Sequence, residues 1–479
     1  MHPTLLQHKV PILKTATQEK VMQEQFSHET PTNIQSISKT FWRYAIPSVA
    51  AMLVNGLYQV IDGIFVGHFI GFEGLAGINM AWPVIGLITG LGLLVGMGTG
   101  SLISIYKGEG NHSKAQQALS TGLGLIAIAG LLVMMVLAMM GPSLLIAQGA
   151  TGIPLAMGTD YIEVFTWGGV FTIAAGALPM LIRNDDSPNF STALMMAGAI
   201  INIVLDYIFI AHLDMGLKGA AIATIIAQIS ITIVAVTYFF TRYSKLRLSL
   251  KNFTLNWSIA ANAISLGTSS LFMYAYFSFI VAVHNKLLMD YGSAVHVGGF
   301  AIVGYLMTMY YLLAEGIASG MQPPVSYYYG AGHGKKIRAT LILASKVVVL
   351  TGITSVVLLN LFPNTLVNLF SNGDPSLAAE TVNGLRLHLF AMFLDGFIAL
   401  ASVYFMSVNQ GGKAVAISAG NMLVQLPFLY FLPQWLGVNG VWLSVPLSNI
   451  LLAAIVVPLV WQDIQNKQRS DISLRTVAA

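Results

Sequence analysis

Cysteine is absent from the 479 residues, which excludes disulfides and thiolate metal sites. Charge is nearly as scarce. Asp, Glu, Lys and Arg make up 9% of the chain against 56% hydrophobic residues, whereas soluble domains are about 25% charged. So few charges cannot cover a water-facing surface on a chain of this size; a lipid-facing one needs no more. Reactive motifs are missing too. There is no Gly-x-x-x-x-Gly-Lys-Ser/Thr phosphate loop, no His-Glu-x-x-His and no Gly-x-Ser-x-Gly. The nearest stretch, Gly330 to Lys336, lacks both the spacing and the hydroxyl. Nothing favours an enzyme, a resident cofactor or ATP-driven pumping by this chain alone. A net charge of +4 with basic residues scattered at helix ends is no nucleic-acid footprint. Residues 1–40 are polar with no apolar segment after the early lysines, and read as a tail rather than a signal peptide.

What the chain has is apolar runs. Crossing hydrocarbon takes about 20 apolar residues per helix, and these runs lack the alternation of a membrane barrel. Broken at Gly, Pro and charged clusters, they predict twelve spans: 44–70, 75–104, 115–141, 155–182, 191–211, 218–241, 258–289, 297–328, 339–362, 384–408, 414–434 and 439–462. The expected fold is an all-α polytopic membrane protein, twelve helices in two pseudo-symmetric six-helix bundles. Residues 41–241 form the first lobe, 242–257 a cytoplasmic linker, 258–462 the second lobe and 463–479 a cytoplasmic tail.

With a cytoplasmic N-terminus, nineteen of the twenty-three basic residues fall on the inner side, among them Lys9, Lys14, Lys20, Lys107, Arg183, Lys251, Lys335 and Arg475. One missed or invented helix would scramble this asymmetry, so both termini are expected inside. The halves also repeat. Ser104, Tyr106, Gly108, Gly110 and Lys114 coincide with Ser326, Tyr328, Gly330, Gly332 and Lys336 at an offset of 222. Gly216-Leu-Lys-Gly219 matches Gly437-Val-Asn-Gly440 at an offset of 221. Each unit holds an even number of spans, so the halves share one orientation and their pseudo-twofold runs along the membrane normal, with the substrate path between them.

Intramembrane carboxylates are costly and therefore informative. Five lie in predicted spans: Asp62, Glu163, Asp206, Glu315 and Asp395. At about 1.5 Å per residue, Asp62 and Asp206 share one depth in the outer half of the first lobe. Tyr161 and Thr224 lie near it on inward-running helices. Asn202 sits one turn below Asp206, and Asn55 and Gln59 precede Asp62 by 7 and 3 residues on roughly one face. Such a cluster binds a cation, with Na+ at Asp62, Asn202, Asp206 and Thr224, or shares a proton between carboxylates. Taken singly, the amides and Thr224 also suit plain interhelical hydrogen bonding. Glu163 and Asp160 reach the outer headgroups. Glu315 and Asp395 mark either a second cation site or a drug-binding group, with Arg386 and His388 an alternative local network around Asp395. Pro47, Pro179, Pro324, Pro427 and Pro446 sit where helices can bend, and Gly92, Gly96 and Gly100 read as close helix packing.

Three stretches together resemble the multidrug and toxic compound extrusion (MATE) family. They are Val60-Ile-Asp62-Gly-Ile-Phe-Val-Gly67, Asn202-Ile-Val-Leu-Asp206-Tyr-Ile-Phe-Ile210 followed by Gly216-Leu-Lys-Gly219, and Gln322-Pro-Pro-Val-Ser-Tyr-Tyr-Tyr-Gly-Ala331. The resemblance covers about residues 41–462. It implies V-shaped six-helix lobes and efflux of cationic, often aromatic compounds in exchange for H+ or Na+. In the DinF-like branch a first-helix aspartate is the coupling carboxylate. That role falls on Asp62, with Asn55, Tyr161, Asn202, Asp206 and Thr224 as partners. The NorM-like branch carries a seventh-helix glutamate, and Gly267 to Ile280 has none; this departure favours the DinF-like branch. The reading implied is a monomeric drug/ion antiporter of a bacterial inner membrane. The runner-up, a lipid-linked precursor flippase of the same superfamily, wants more spans and a strongly cationic cavity.

Overall fold

The computed structural model describes residues 34–147, 151–249, 253–368 and 375–478. Lys9, Lys14, Lys20 and Lys251 of the orientation count, and most of the N-terminal tail, lie outside them. Every regular element among the described residues is helical, as hydrocarbon requires of a backbone that must satisfy its own polar groups. The first half comprises α1 (Ile34–Phe65), α2 (Phe72–Gly108), α3 (His112–Ala147), α4 (Gly152–Asn184), α5 (Pro188–Asp206) and α6 (Gly216–Phe240). The second comprises α7 (Trp257–Tyr291), α8 (Ala294–Gly330), α9 (Gly334–Leu361), the short α10 (Pro363–Asn368), α11 (Pro375–Leu389), α12 (Met392–Ser407), α13 (Gly411–Leu436) and α14 (Val438–Ala478).

Local chemistry sets several of these starts. Pro188 opens α5 at its first turn, where no backbone donor is needed. The Asn256 side chain caps α7 by accepting from the amides of Ser258 and Ile259 at 3.0 and 3.2 Å. Ser293 and His296 form a reciprocal capping box at the start of α8.

Eleven of these helices are long and apolar enough to cross a membrane, and α11 with α12 makes a twelfth span bent by 45°. The twelve-span expectation therefore holds, with one correction: the tenth span is broken at residues 390–391 rather than continuous. No proline or glycine stands at the break. Just past it, the Tyr310 hydroxyl lies within reach of the Val348 and Phe393 carbonyls, at 3.4 and 3.5 Å, and against α12 at Gly396. Two helices run past their expected bounds, α1 starting at Ile34 and α14 continuing to Ala478.

The halves meet through α1 against α8, α2 against α7 and α2 against α8. A methyl group added at Gly98 would overlap the Ala263 carbonyl, and one at Gly267 the Leu94 carbonyl. Gly108 faces the Tyr327 carbonyl while Gly330 faces that of Ile105, the same contact made twice at the sequence offset of 222. The pseudo-twofold thus passes between these glycines. Closer to the opposite end the halves part. Gly90 still touches Leu271 and Gly56 touches Leu312, but nothing lies within 4 Å of an added methyl at Gly86, Gly63 or Gly304. The helices converge at the end bearing the 109–111, 185–187 and 331–333 turns and diverge at the other, a V closed at one end. Gly92, Gly96 and Gly100 pack on Ile173, Ala177 and Asn184 of α4, so α2 is the spine of its own half as well as of the interface.

Candidate transport site

Where the V converges, a cavity of about 120 Å³ opens in the first half and reaches the second. Asn55 and Tyr58 of α1, Thr172 of α4, Asn202 of α5, and Thr224 and Gln228 of α6 line it, with Tyr274 and Glu315 from across the interface. No lysine or arginine lines it. A narrower space of about 30 Å³ continues below, sharing Met52, Leu93, Met180, Tyr274 and Glu315. Methionines and tyrosines dominate the junction, an adaptable surface for flat apolar cations.

Asp62 and Asp206 lie just past this cavity, one turn beyond Tyr58 and Asn202 respectively. The helices that carry them, α1 and α5, pack against each other. Asp206 is fully buried; among the described residues neither of its oxygens has a hydrogen-bond partner, nor do Asp62 Oδ1 and Asn202 Oδ1. The Asn202 amide donates to Thr224 Oγ1 at 3.3 Å. Four oxygens without donors, gathered from two helices, have the chemistry to accept a proton or a hard cation and not to hold an anion. Each helix also loosens past its aspartate: π-helical turns occupy Val66–Ile70, one turn after Asp62, and Tyr207–His212, directly after Asp206, and pack against each other. Such turns recur at functional sites.

The structure thus gathers Asp62, Asp206, Tyr161, Asn202, Thr224 and Asn55 around one locus. Gln59 stands apart: it is exposed, off the cavity lining. Tyr58 takes its place in the stripe, because Asn55, Tyr58 and Asp62 follow i, i+3, i+7 spacing. Sequence reasoning passed over Tyr58, Gln228 and Thr172, although Gln228 lies one turn from Thr224 and accepts from Thr172 at 2.6 Å. Glu163 makes an exposed pair with Lys218 at 3.1 Å, and Asp160 is exposed.

In the second half, Asp395 is 4% exposed and already occupied. Tyr311 donates to it through a short hydrogen bond, and Asn421 does so at 3.3 Å. His388 turns away to Trp442, bonding its carbonyl at 3.0 Å, so the local Arg386/His388 network around Asp395 is not formed by His388. Glu315 is different. It lines the cavity from the second half, and its backbone carbonyl accepts from the Ser319 hydroxyl at 2.8 Å.

Beneath the cavity, the closed end is tied by polar groups. Asn184 at the end of α4 and Gln322 on α8 exchange two hydrogen bonds at 3.0 and 3.1 Å, and Ser104 donates to Asn184 at 2.7 Å. Lys107 reaches the Asn184 carbonyl at 3.0 Å and Asp186 at 2.8 Å, and Lys245 pairs with Asp186 at 3.1 Å. Burial alone would raise the Asp186 pKa, but these two ammonium groups hold it below the ordinary carboxylate range. Next to it, burial pushes the Asp185 carboxyl up, only partly offset by the Tyr238 hydroxyl and the Lys245 amide.

A MatE family model matches residues 47–208 and again 269–431, two copies offset by 222 (269 − 47), as the internal repeat requires. The multidrug export protein MepA of Staphylococcus aureus (strain NCTC 8325 / PS 47) is 24% identical over 433 residues, covering 89% of this chain and 94% of that protein. The MepA of Staphylococcus saprophyticus is 23% identical with the same coverage. Among solved structures, a MOP superfamily transporter from Pyrococcus furiosus superposes with a TM-score of 0.85 at 23% identity, over 92% of this chain and all of that one. A multidrug resistance MATE family transporter in an outward-facing conformation gives 0.85 at 22% identity with the same coverage. With its doubled family match, its repeat and its V of twelve spans, this chain belongs to the MatE family of multi-pass membrane transporters, which are not enzymes.

Proposed function

We propose that the protein exports cationic and aromatic compounds from a bacterial cell in exchange for H+ or Na+, as a monomer in the inner membrane with both termini cytoplasmic. The observation that carries the coupling is the Asp62/Asp206 pair, two carboxyl groups with unpartnered oxygens held on facing helices beside the inter-lobe cavity. Left ionised together they repel, which pushes α1 from α5. A proton or Na+ arriving from the open end of the V removes that repulsion, Na+ drawing also on Asn202 and Thr224. The two helices then close on one another, helped by the soft π turns one step further on. Closing narrows the adjoining cavity and drives a bound drug toward the open end. The names of the Staphylococcus relatives support the substrate class, and the first-half location supports a DinF-like coupling site.

The test is reconstitution. Purified protein in proteoliposomes is assayed for ethidium export together with movement of the coupling ion, read by a pH-sensitive dye inside the vesicles or by labelled Na+. Wild type should show drug-evoked ion movement; Asp62→Asn and Asp206→Asn should lose it while purifying as well as wild type. Undiminished exchange in Asp62→Asn rejects the role.

A further inference from the structure

Four rings close on one another inside the second half, near the open end of the V. His284 stands in the last turn but one of α7, Phe300 and Trp442 in the second turns of α8 and α14, and His388 in the last turn of α11. His284 and Trp442 are 0% exposed and His388 is 3% exposed. The two imidazole rings lie 5.5 Å apart, centre to centre, with their planes at 82°. Phe300 stacks on His284 at 4.9 Å and meets His388 edge-on at 5.6 Å, and Trp442 meets His388 at 5.8 Å. Each imidazole is tied by its Nδ1, His284 to the Ile280 carbonyl and His388 to the Trp442 carbonyl, both at 3.0 Å. A carbonyl only accepts, so each Nδ1 carries a hydrogen. A second hydrogen on Nε2 would charge a ring in an apolar box without a counterion, at high cost. The acids at this end of the same helices, Glu380 and Asp290, are paired with His296 at 3.3 Å and Lys286 at 3.1 Å. Each ring is therefore neutral and its Nε2 is a bare lone pair. Among the described residues neither Nε2 has a hydrogen-bond partner.

Imidazole ligands in metal centres are held in this way, one ring nitrogen donating to a backbone carbonyl and the other left for the ion. We propose that His284 and His388 form a two-coordinate site for a closed-shell monovalent metal ion, Cu+ or its redox-inert analogue Ag+. An imidazole nitrogen holds a metal at about 2.0 Å, which sets two rings sharing one ion about 5–6 Å apart, and these rings stand at 5.5 Å. Ligand count and charge choose the ion. Zn2+ asks for four ligands, and among the described residues no third His, Asp or Glu joins the pair. Hard cations want oxygen, whereas imidazole suits copper. A monovalent ion brings a single charge, which the flanking Phe300 and Trp442 rings offset through their π faces. Bound there, the ion joins α7 to α11 just before the break at residues 390–391, and so stiffens the bent span. The site is separate from the Asp62/Asp206 pair and stands whether or not the export reading does.

The chain has no cysteine, so silver meets no thiolate. The test is titration of Ag+ into the purified full-length protein in chloride-free buffer, read by calorimetry, with Zn2+ in parallel. Wild type should bind one Ag+ tightly. His284→Gln and His388→Gln should each weaken that equivalent by more than about 100-fold, beyond the loss that removal of an outer-shell partner causes. His112→Gln, at the start of α3 in the first half, should bind like wild type. No tight equivalent in wild type overturns the proposal. So does one that survives in both histidine variants, which puts the silver on methionine. Zn2+ bound as tightly as Ag+ overturns the two-coordinate assignment. Should either variant fail to fold, X-ray absorption at the silver edge on wild type decides alone: two imidazole nitrogens as neighbours support the pair, and sulfur neighbours overturn it.

Discussion

Replacing Asn184 by alanine removes the reciprocal amide pair that ties α4 to Gln322, two hydrogen bonds at 3.0 and 3.1 Å, and leaves Ser104 without its acceptor. Each such bond is worth about 1 kcal/mol net. Water can satisfy the same groups once the halves part, so the loss of about 2 kcal/mol falls on the closed end alone, an equilibrium shift of roughly 30-fold at 1.4 kcal/mol per decade. A chain without cysteine offers a clean reporter. Ala263 is fully buried on α7 against Gly98 of α2, and Ala263→Cys reacts with a water-soluble maleimide only when that contact opens. Adding Asn184→Ala should raise its labelling rate by roughly the same 30-fold, with the thermal midpoint monitored to show that the fold survives. Gln322→Ala should do likewise. A labelling rate equal to that of the single reporter mutant would show that these amides do not hold the halves together.

Four further outcomes follow from the geometry. Gly267→Ala sets a methyl against the Leu94 carbonyl, which is backbone and cannot swing aside; an overpacking cost of about 1–3 kcal/mol should again speed labelling of the Ala263→Cys reporter. Asp186→Asn keeps a residue that tolerates the φ of 65° found there but drops both lysine pairs. Because the folded-state pKa lies below the ordinary value, the stabilisation is present at neutral pH and lost as pH falls below about 4. The midpoint difference between wild type and Asp186→Asn should therefore be clear at neutral pH and vanish on acidification; a constant difference would contradict the ion-pair account. Asp395→Leu strands the Tyr311 hydroxyl and the Asn421 amide, at a cost of about 1–3 kcal/mol each, and should lower the thermal midpoint well beyond Asp62→Asn. Lys218→Ala, by contrast, breaks an exposed pair worth roughly 0–1 kcal/mol, and should leave midpoint and transport unchanged.

The span count and the doubling were legible because each has a long-range check in the chain itself: basic residues pile up on one side, and Gly108 and Gly330 recur in register before they are seen to touch. Depth was legible too, since 1.5 Å of rise per residue is enough to set Asp62 level with Asp206. Angle was harder. Gln59 and Tyr58 differ by one position and about 100° of helix, and only packing shows which of them turns inward. The break before α12 could not be read, because no proline or glycine marks it in the sequence. Nor could the burial of Arg183, which counts as one more inner-side basic residue until it is seen to be 1% exposed.

The crossing of α2 and α8 has a consequence for origins. Each glycine there meets the carbonyl three residues before its counterpart, so the contact is isologous although a single chain makes it. A six-helix ancestor with that one glycine already possessed both surfaces of the joint. Its twin supplied the rest.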